Sequence, residues 1–221
     1  YLYITRFFFE FTGAQIGITG VAVLVAPFIA WPLAPKLGLI LGKKVTAISL
    51  QLARLAIYPI PFICVLLGYW PALGSTASIA IYTAFIFTEV ALFIVSAVML
   101  DSMMADVVED SEKRTNRRSE GLFFAARSFA GKFVSASGII SAGLIISAVG
   151  FDSITSVADF TAEHRLELAQ LFLPAYCSLI LGAIACISLY QIDRTTHEQN
   201  IKLLSERLAA EKSDTSDFEK T

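Results

Sequence analysis

Charge is what this chain has least of. Only 16% of its 221 residues are Asp, Glu, Lys or Arg, against 56% hydrophobic, and the mean hydropathy is +0.67. Soluble domains carry about 25% charged residues, so the composition excludes an ordinary soluble globule and points to a membrane protein. The net charge of -2 and pI of about 5.7 leave no basic surplus with which to hold nucleic acid. Cysteine is equally scarce. Cys64, Cys177 and Cys186 lie in apolar stretches at spacings that suit neither a metal site nor a disulfide framework, and serve as small apolar residues. The chain also lacks a P-loop, a zinc-ligand spacing and any nucleophile–base constellation, which argues against an enzyme.

What is present is a succession of long apolar runs. Residues 11–35 carry no charge, and their apolar core at 16–33 is long enough to cross a bilayer. Residues 45–68 are interrupted only by Arg54, and the run from Thr76 to about Met104 holds Glu89 inside it and Asp101 near its end. Residues 121–150 carry Arg127 and Lys132, and residues 168–192 carry no charge. Each exceeds the roughly 20 residues that a spanning helix needs. The expected fold class is therefore all-α, a polytopic membrane bundle of about five spans.

The basic residues orient it. Lys36, Lys43 and Lys44 fall in the first connection and Lys113, Arg114, Arg117 and Arg118 in the third, whereas 69–75 and 152–167 hold only Arg165 as a strong base. The positive-inside rule then puts the first and third connections, and the C-terminal tail, in the cytoplasm. Tyr69 and Trp70 suit an outer interfacial belt. Residues 1–11 are apolar and aromatic, too short to cross and without the marks of a signal peptide, so we expect the end of a truncated helix there. Residues 193–221 form the expected cytoplasmic tail. Thr195 and Glu198 make a capping box for an amphipathic helix to about Ala210, followed by a polar, disordered end.

Lys132 is the residue least at home. It lies twelve positions after Glu120, about 18 Å along a helix and so near the middle of a hydrocarbon core about 30 Å thick. A charge there is costly and faces a cavity, a partner or a substrate. Ser128 and Ser135 share its helical face. Glu89 is at a similar depth. It pairs either with Lys132 or with Arg54, or binds a coupling proton or cation. Lys132, Glu89, Ser128 and Ser135 are thus the candidate cavity residues. Arg127, nearer the inner interface, either snorkels or meets an acid. The segment 101–120 is acid-rich and then base-rich, with Asp106, Glu109, Asp110 and Glu112 followed by Lys113, Arg114, Arg117, Arg118 and finally Glu120. Such a lattice can hold one conformational state closed and break in another.

The order Ala105-Asp106-Val107-Val108-Glu109-Asp110, then Arg117-Arg118-Ser119-Glu120-Gly121, then Lys132, resembles the glycoside–pentoside–hexuronide:cation symporters (melibiose permease-like) of the major facilitator superfamily. Leu41-Gly42-Lys43-Lys44 is similar to that family's basic loop between helices eight and nine. The resemblance implies the C-terminal half of a major facilitator-type bundle. Residues 12–192 would then be helices eight to twelve, and 1–11 the end of helix seven. It implies a cytoplasmic gate that includes Asp106, Asp110, Arg117, Arg118 and Glu120, and a Lys132 that faces the central cavity. It further implies Na⁺- or H⁺-coupled symport of a sugar, glycoside or uronide in the plasma (inner) membrane, with membrane lipid and an N-terminal half as partners and no other cofactor. A lysolipid transporter of the same fold, or a non-transporting membrane subunit that docks a partner, are the alternatives.

Overall fold

A computed structural model describes residues 1–115, 117 and 119–191, with only the backbone described at Ser153. The expected tail, 193–221, lies outside the described residues. Six α-helices make five candidate crossings: α1 (Gly13–Leu41), α2 (Lys43–Ile57) continued by α3 (Ile60–Leu66), α4 (Thr76–Thr115), α5 (Glu120–Ala148) and α6 (Ala162–Ser188). A π-helical segment, Ile4–Phe8, precedes them, and two 3₁₀ turns, Phe151–Ser153 and Val157–Asp159, join α5 to α6. The described residues contain no strand, so the all-helical bundle is as the composition requires.

The helix ends differ from the apolar runs, each for a local reason. Helix α1 starts where Thr12 and Gln15 form a reciprocal capping box. It runs past Pro27, Pro32 and Pro35, through the expected first loop, to Leu41. Gly42 alone connects it to α2, with φ +82° and ψ 152°, a region open almost only to glycine. The connection expected to hold Lys36, Lys43 and Lys44 is thus a single residue, and all three lysines are helical. Helix α4 has 40 residues, not the 29 of its apolar run, so at about 60 Å it outreaches the hydrocarbon core by about twofold. The acidic cluster rides on this projecting end. Helix α6 begins at Ala162, before its apolar run, because Thr161 and His164 form a second capping box. Residues expected in the outer loop, Arg165 among them, therefore form its first turns.

Two clusters hold the bundle. Towards one end, Ala26, Ala30 and Ala34 are wholly buried at i, i+4 spacing on α1, and the next small position, Gly38, sits against Met99 of α4. Without hydrophobic drive between helices in lipid, close approach along such a stripe is what binds them. Ala47, Val95, Met103 and Ile187 complete this cluster. Towards the other end, rings interlock. Phe8, Phe9 and Phe11 are fully buried, with ring centroids 4.6 Å apart for Phe9–Tyr82 and 5.0 Å for Phe8–Phe62. Edge and tilted contacts of this kind add to area burial. Ile4, Phe8, Phe9 and Phe11 of the N-terminal segment are therefore core, while Tyr1, Leu2 and Tyr3 are exposed.

That aromatic end is pinned by Gly74, whose N–H donates to Phe9 O at 3.0 Å and whose carbonyl accepts from Gln15 Nε2 at 2.7 Å. Gly74 has φ +69°, and a Cβ there would stand 3.0 Å from the Glu10 carbonyl oxygen. We expect Gly74→Ala to destabilise by about 1–3 kcal/mol, lowering the thermal midpoint in detergent by several degrees. Gly13→Ala, in open space at the start of α1, should leave it unchanged or raise it. Equal midpoints for the two variants would refute the steric argument.

Candidate functional site

Three polar constellations lie along the bundle, and they are of different kinds. The first is buried at mid-span. Gln51 and Arg54 are one turn apart on α2, both buried, and face Glu89 of α4. Arg54 donates from Nε at 2.8 Å and from Nη2 at 2.5 Å to Glu89 Oε1, while its Nη1 donates to Gln51 Oε1 at 2.8 Å. Tyr176 of α6 donates its hydroxyl to the same Glu89 oxygen at 2.8 Å. The guanidinium also lies 4.9 Å from the centroid of Phe93. Tyr58 stacks on Tyr176 at 3.9 Å, and it sits where Pro59 and Pro61 interrupt the crossing between α2 and α3. Beside Glu89 a cavity of about 20 Å³ is lined by Tyr58, Pro61, Tyr82 and Phe85, room for about one water.

Of the arrangements open to Glu89, its ion pair is with Arg54 and not with Lys132. The pair is neutral as a whole and its donors are matched, which is how two charges survive in a low-dielectric interior.

The second constellation closes the basic end. Lys43 Nζ donates to both oxygens of Asp106, at 2.6 and 2.8 Å, and Tyr190 donates its hydroxyl to Asp106 Oδ2 at 2.7 Å. Burial, then the hydrogen bond to Asp106, push the Tyr190 hydroxyl far above its ordinary range, so it stays a donor at any physiological pH. Lys44 Nζ donates to the carbonyls of Ser188 and Tyr190, both at 2.7 Å, capping the C-terminus of α6 with a cation. Asp110 pairs with Arg114 one turn along α4, at 2.9 Å. Arg117 is exposed, Glu120 opens α5, and Arg118 lies outside the described residues. Lys43 and Tyr190 were not anticipated as partners of Asp106, since nothing local links either to an aspartate 63 or 84 positions away.

The third is α5, which has no buried residue at all. Ser128, Lys132 and Ser135 are exposed along one face, and so are Phe129, Phe133, Ile139 and Leu144 elsewhere on it. Lys132 has no hydrogen-bond or ion-pair partner among the described residues. Arg127 does meet an acid: it bridges α5 to Asp101 of α4. A cation flanked by two hydroxyls on an open face can bind a polyhydroxyl ring, a carboxylate or a phosphate.

The mid-span pair generates a sharp expectation. Arg54→Met or Glu89→Met alone leaves an uncompensated charge and should cost about 3–5 kcal/mol, whereas the double substitution should cost far less. A double-mutant cycle of thermal midpoints in detergent measures this. Additive losses would mean that the two side chains act separately.

Comparison with known proteins adds the last finding. A family model described as MFS/sugar transport protein matches residues 1–194, which takes in every described helix. No curated protein and no solved structure matches the chain. Five apolar crossings and a match over most of the sequence together place it: the chain belongs to the MFS/sugar transport protein family, a family of membrane transporters rather than enzymes.

Proposed function

We propose that the chain is the C-terminal bundle of a secondary transporter that moves a sugar, glycoside or uronide with Na⁺ or H⁺ by alternating access, as in the melibiose permease-like symporters. The observation that carries this is Lys132, a cation with no partner among the described residues, about 18 Å into a span, on an open face with Ser128 and Ser135. A charge at that depth needs a counterpart, and a substrate hydroxyl, a carboxylate, or an acid on an opposing bundle supplies it. The absence of any buried residue on α5 supports the same reading, because a helix left bare by its own bundle can form one wall of a path whose other wall is an N-terminal half. In this reading the five crossings are helices eight to twelve and the basic end faces the cytoplasm of the plasma (inner) membrane. Asp106 with Lys43 and Tyr190, together with Asp110, Arg117, Arg118 and Glu120, form in this reading a gate that closes that end in one state and parts in another.

The Arg54–Glu89–Tyr176 network is assigned a scaffolding role, since its charges already answer each other. A second reading, transport of a lysolipid, draws on the same lysine: exposed Phe129 and Phe133 beside a cation suit an acyl chain beneath a phosphate. Uptake of a labelled glycoside panel against a labelled lysolipid separates the two.

In the complete transporter, Lys132→Ala should reduce substrate accumulation by about tenfold or more, as loss of one charge-assisted contact does, with membrane insertion unchanged. Normal uptake would make Lys132 structural. For the gate, Asp106→Asn and Lys43→Gln should each impair uptake, and the exchange Lys43→Asp with Asp106→Lys should recover part of it. Uptake by the exchange variant no better than by the worse single variant would remove the pair from the gate.

A further inference from the structure

The small cavity beside the mid-span pair is where polar groups are left unanswered. Arg54 Nε, Arg54 Nη2 and the Tyr176 hydroxyl all donate to Glu89 Oε1. Glu89 Oε2 accepts from none of them, nor from any other group among the described residues. The hydroxyls of Tyr58 and Tyr82 likewise have no hydrogen-bond partner among the described residues. All three residues line the cavity of about 20 Å³. Glu89 and Tyr82 are only 8% and 5% exposed, yet neither Oε2 nor the Tyr82 hydroxyl is fully sealed, so what surface they keep opens on the cavity they share. The backbone adds a fourth group. Ile57 and Pro61 also line the cavity, and Pro61 has no N–H to give the Ile57 carbonyl one turn before it. Inside a span, ordered water is among the few partners that can answer a carbonyl freed in this way.

Size and charge together select the occupant. The volume exceeds the roughly 10–15 Å³ that one water needs and leaves no room for a larger molecule. Two phenolic O–H donors and two acceptors, a carboxylate oxygen and a carbonyl, are the complement of water's own donors and acceptors. A cation fits the size but not the charge. Arg54 already answers Glu89, so a Na⁺ would bring an uncompensated charge to mid-span. A proton on Oε2 would do the same, by leaving the guanidinium unanswered. An apolar occupant would leave every one of these polar groups unsatisfied.

We propose that this cavity is a binding site for one water, which donates to Glu89 Oε2 and the Ile57 carbonyl and accepts from the Tyr58 and Tyr82 hydroxyls. The water ties the interrupted crossing, α2 with α3, to α4. It also carries the Arg54 network on to Tyr82, a member of the aromatic core. Glu89 is then satisfied on both oxygens, and the coupling cation of the proposed transport cycle binds elsewhere.

An experimental structure of the full chain in lipid nanodiscs, at a resolution that shows ordered waters, tests the site directly. We expect one peak about 3 Å from Glu89 Oε2 and from both hydroxyls, and no peak there would overturn the proposal. Thermal midpoints in the same nanodiscs test the sharing. Tyr58→Phe and Tyr82→Phe keep the rings against Phe62 and Phe9 and remove one donor to the water each. Each should lower the midpoint by a few degrees, and the double variant by clearly less than the sum, because both donors meet one molecule. Additive losses would overturn the shared site. Sodium distinguishes water from a cation. Exchanging sodium for choline chloride should shift the midpoint equally, or not at all, in the parent protein and in Tyr82→Phe. A sodium-dependent rise that Tyr82→Phe abolishes would make the occupant a cation and overturn the assignment.

Discussion

An ion pair in a medium that does not solvate ions sets the terms for this bundle. Arg54 and Glu89 each lie at mid-span, where an isolated charge costs several kcal/mol, and each is tolerable only in the presence of the other. That requirement fixes the rotation of α2 against α4, because Arg54 and Gln51 must look at Glu89. It also draws in α6, whose Tyr176 donates to the same carboxylate oxygen. Three helices are thereby set about their own axes by one cluster. A matched buried network specifies a unique arrangement, since any other rotation leaves charges unanswered.

The packing on either side of that cluster works by different physics. Towards the basic end, the repeated alanines of α1 and Gly38 let α4 come close, and dispersion at short range does the work that the hydrophobic effect does in water. Lysines then lock the termini, Lys43 to Asp106 and Lys44 to the carbonyls that end α6. Towards the aromatic end, bulky rings fill the space, and Phe8, Phe9 and Phe11 N-terminal to α1 are part of the core. Helix α5 touches the aromatic cluster only at its C-terminal end, through the partly buried Ile145 and Ile146. It is joined to α4 through Arg127 and Asp101, has no fully buried residue, and carries the one mid-span cation that lacks a partner among the described residues. A helix so lightly held, next to a group so tightly specified, is a natural place for a moving or ligand-facing wall.

The number and order of the crossings were legible because they depend on little besides the length of an apolar run and the thickness of a bilayer. Glu89, Arg54 and Lys132 were likewise identifiable as misplaced charges, from composition and depth alone. The ends of the helices were not. Hydropathy marks where a helix leaves lipid, whereas α1 ends at a glycine and α6 begins at a cap. Gly42 and Thr161 therefore moved boundaries that apolar runs had placed elsewhere. The tyrosines of the two networks left no trace in the sequence, because a Tyr in an apolar span is unremarkable until its hydroxyl meets a carboxylate.

By itself, then, the sequence determined a five-crossing helical membrane protein with a basic end, an aromatic end and charges at depth. These are properties of single segments and of their transfer from water to lipid. Only the tertiary structure decided that Glu89 belongs to Arg54 rather than to Lys132, that Asp106 is held by Lys43 and Tyr190, and that α5 is bare. Those outcomes depend on how helices far apart in sequence rotate and pack against one another, a choice made by all their side chains together.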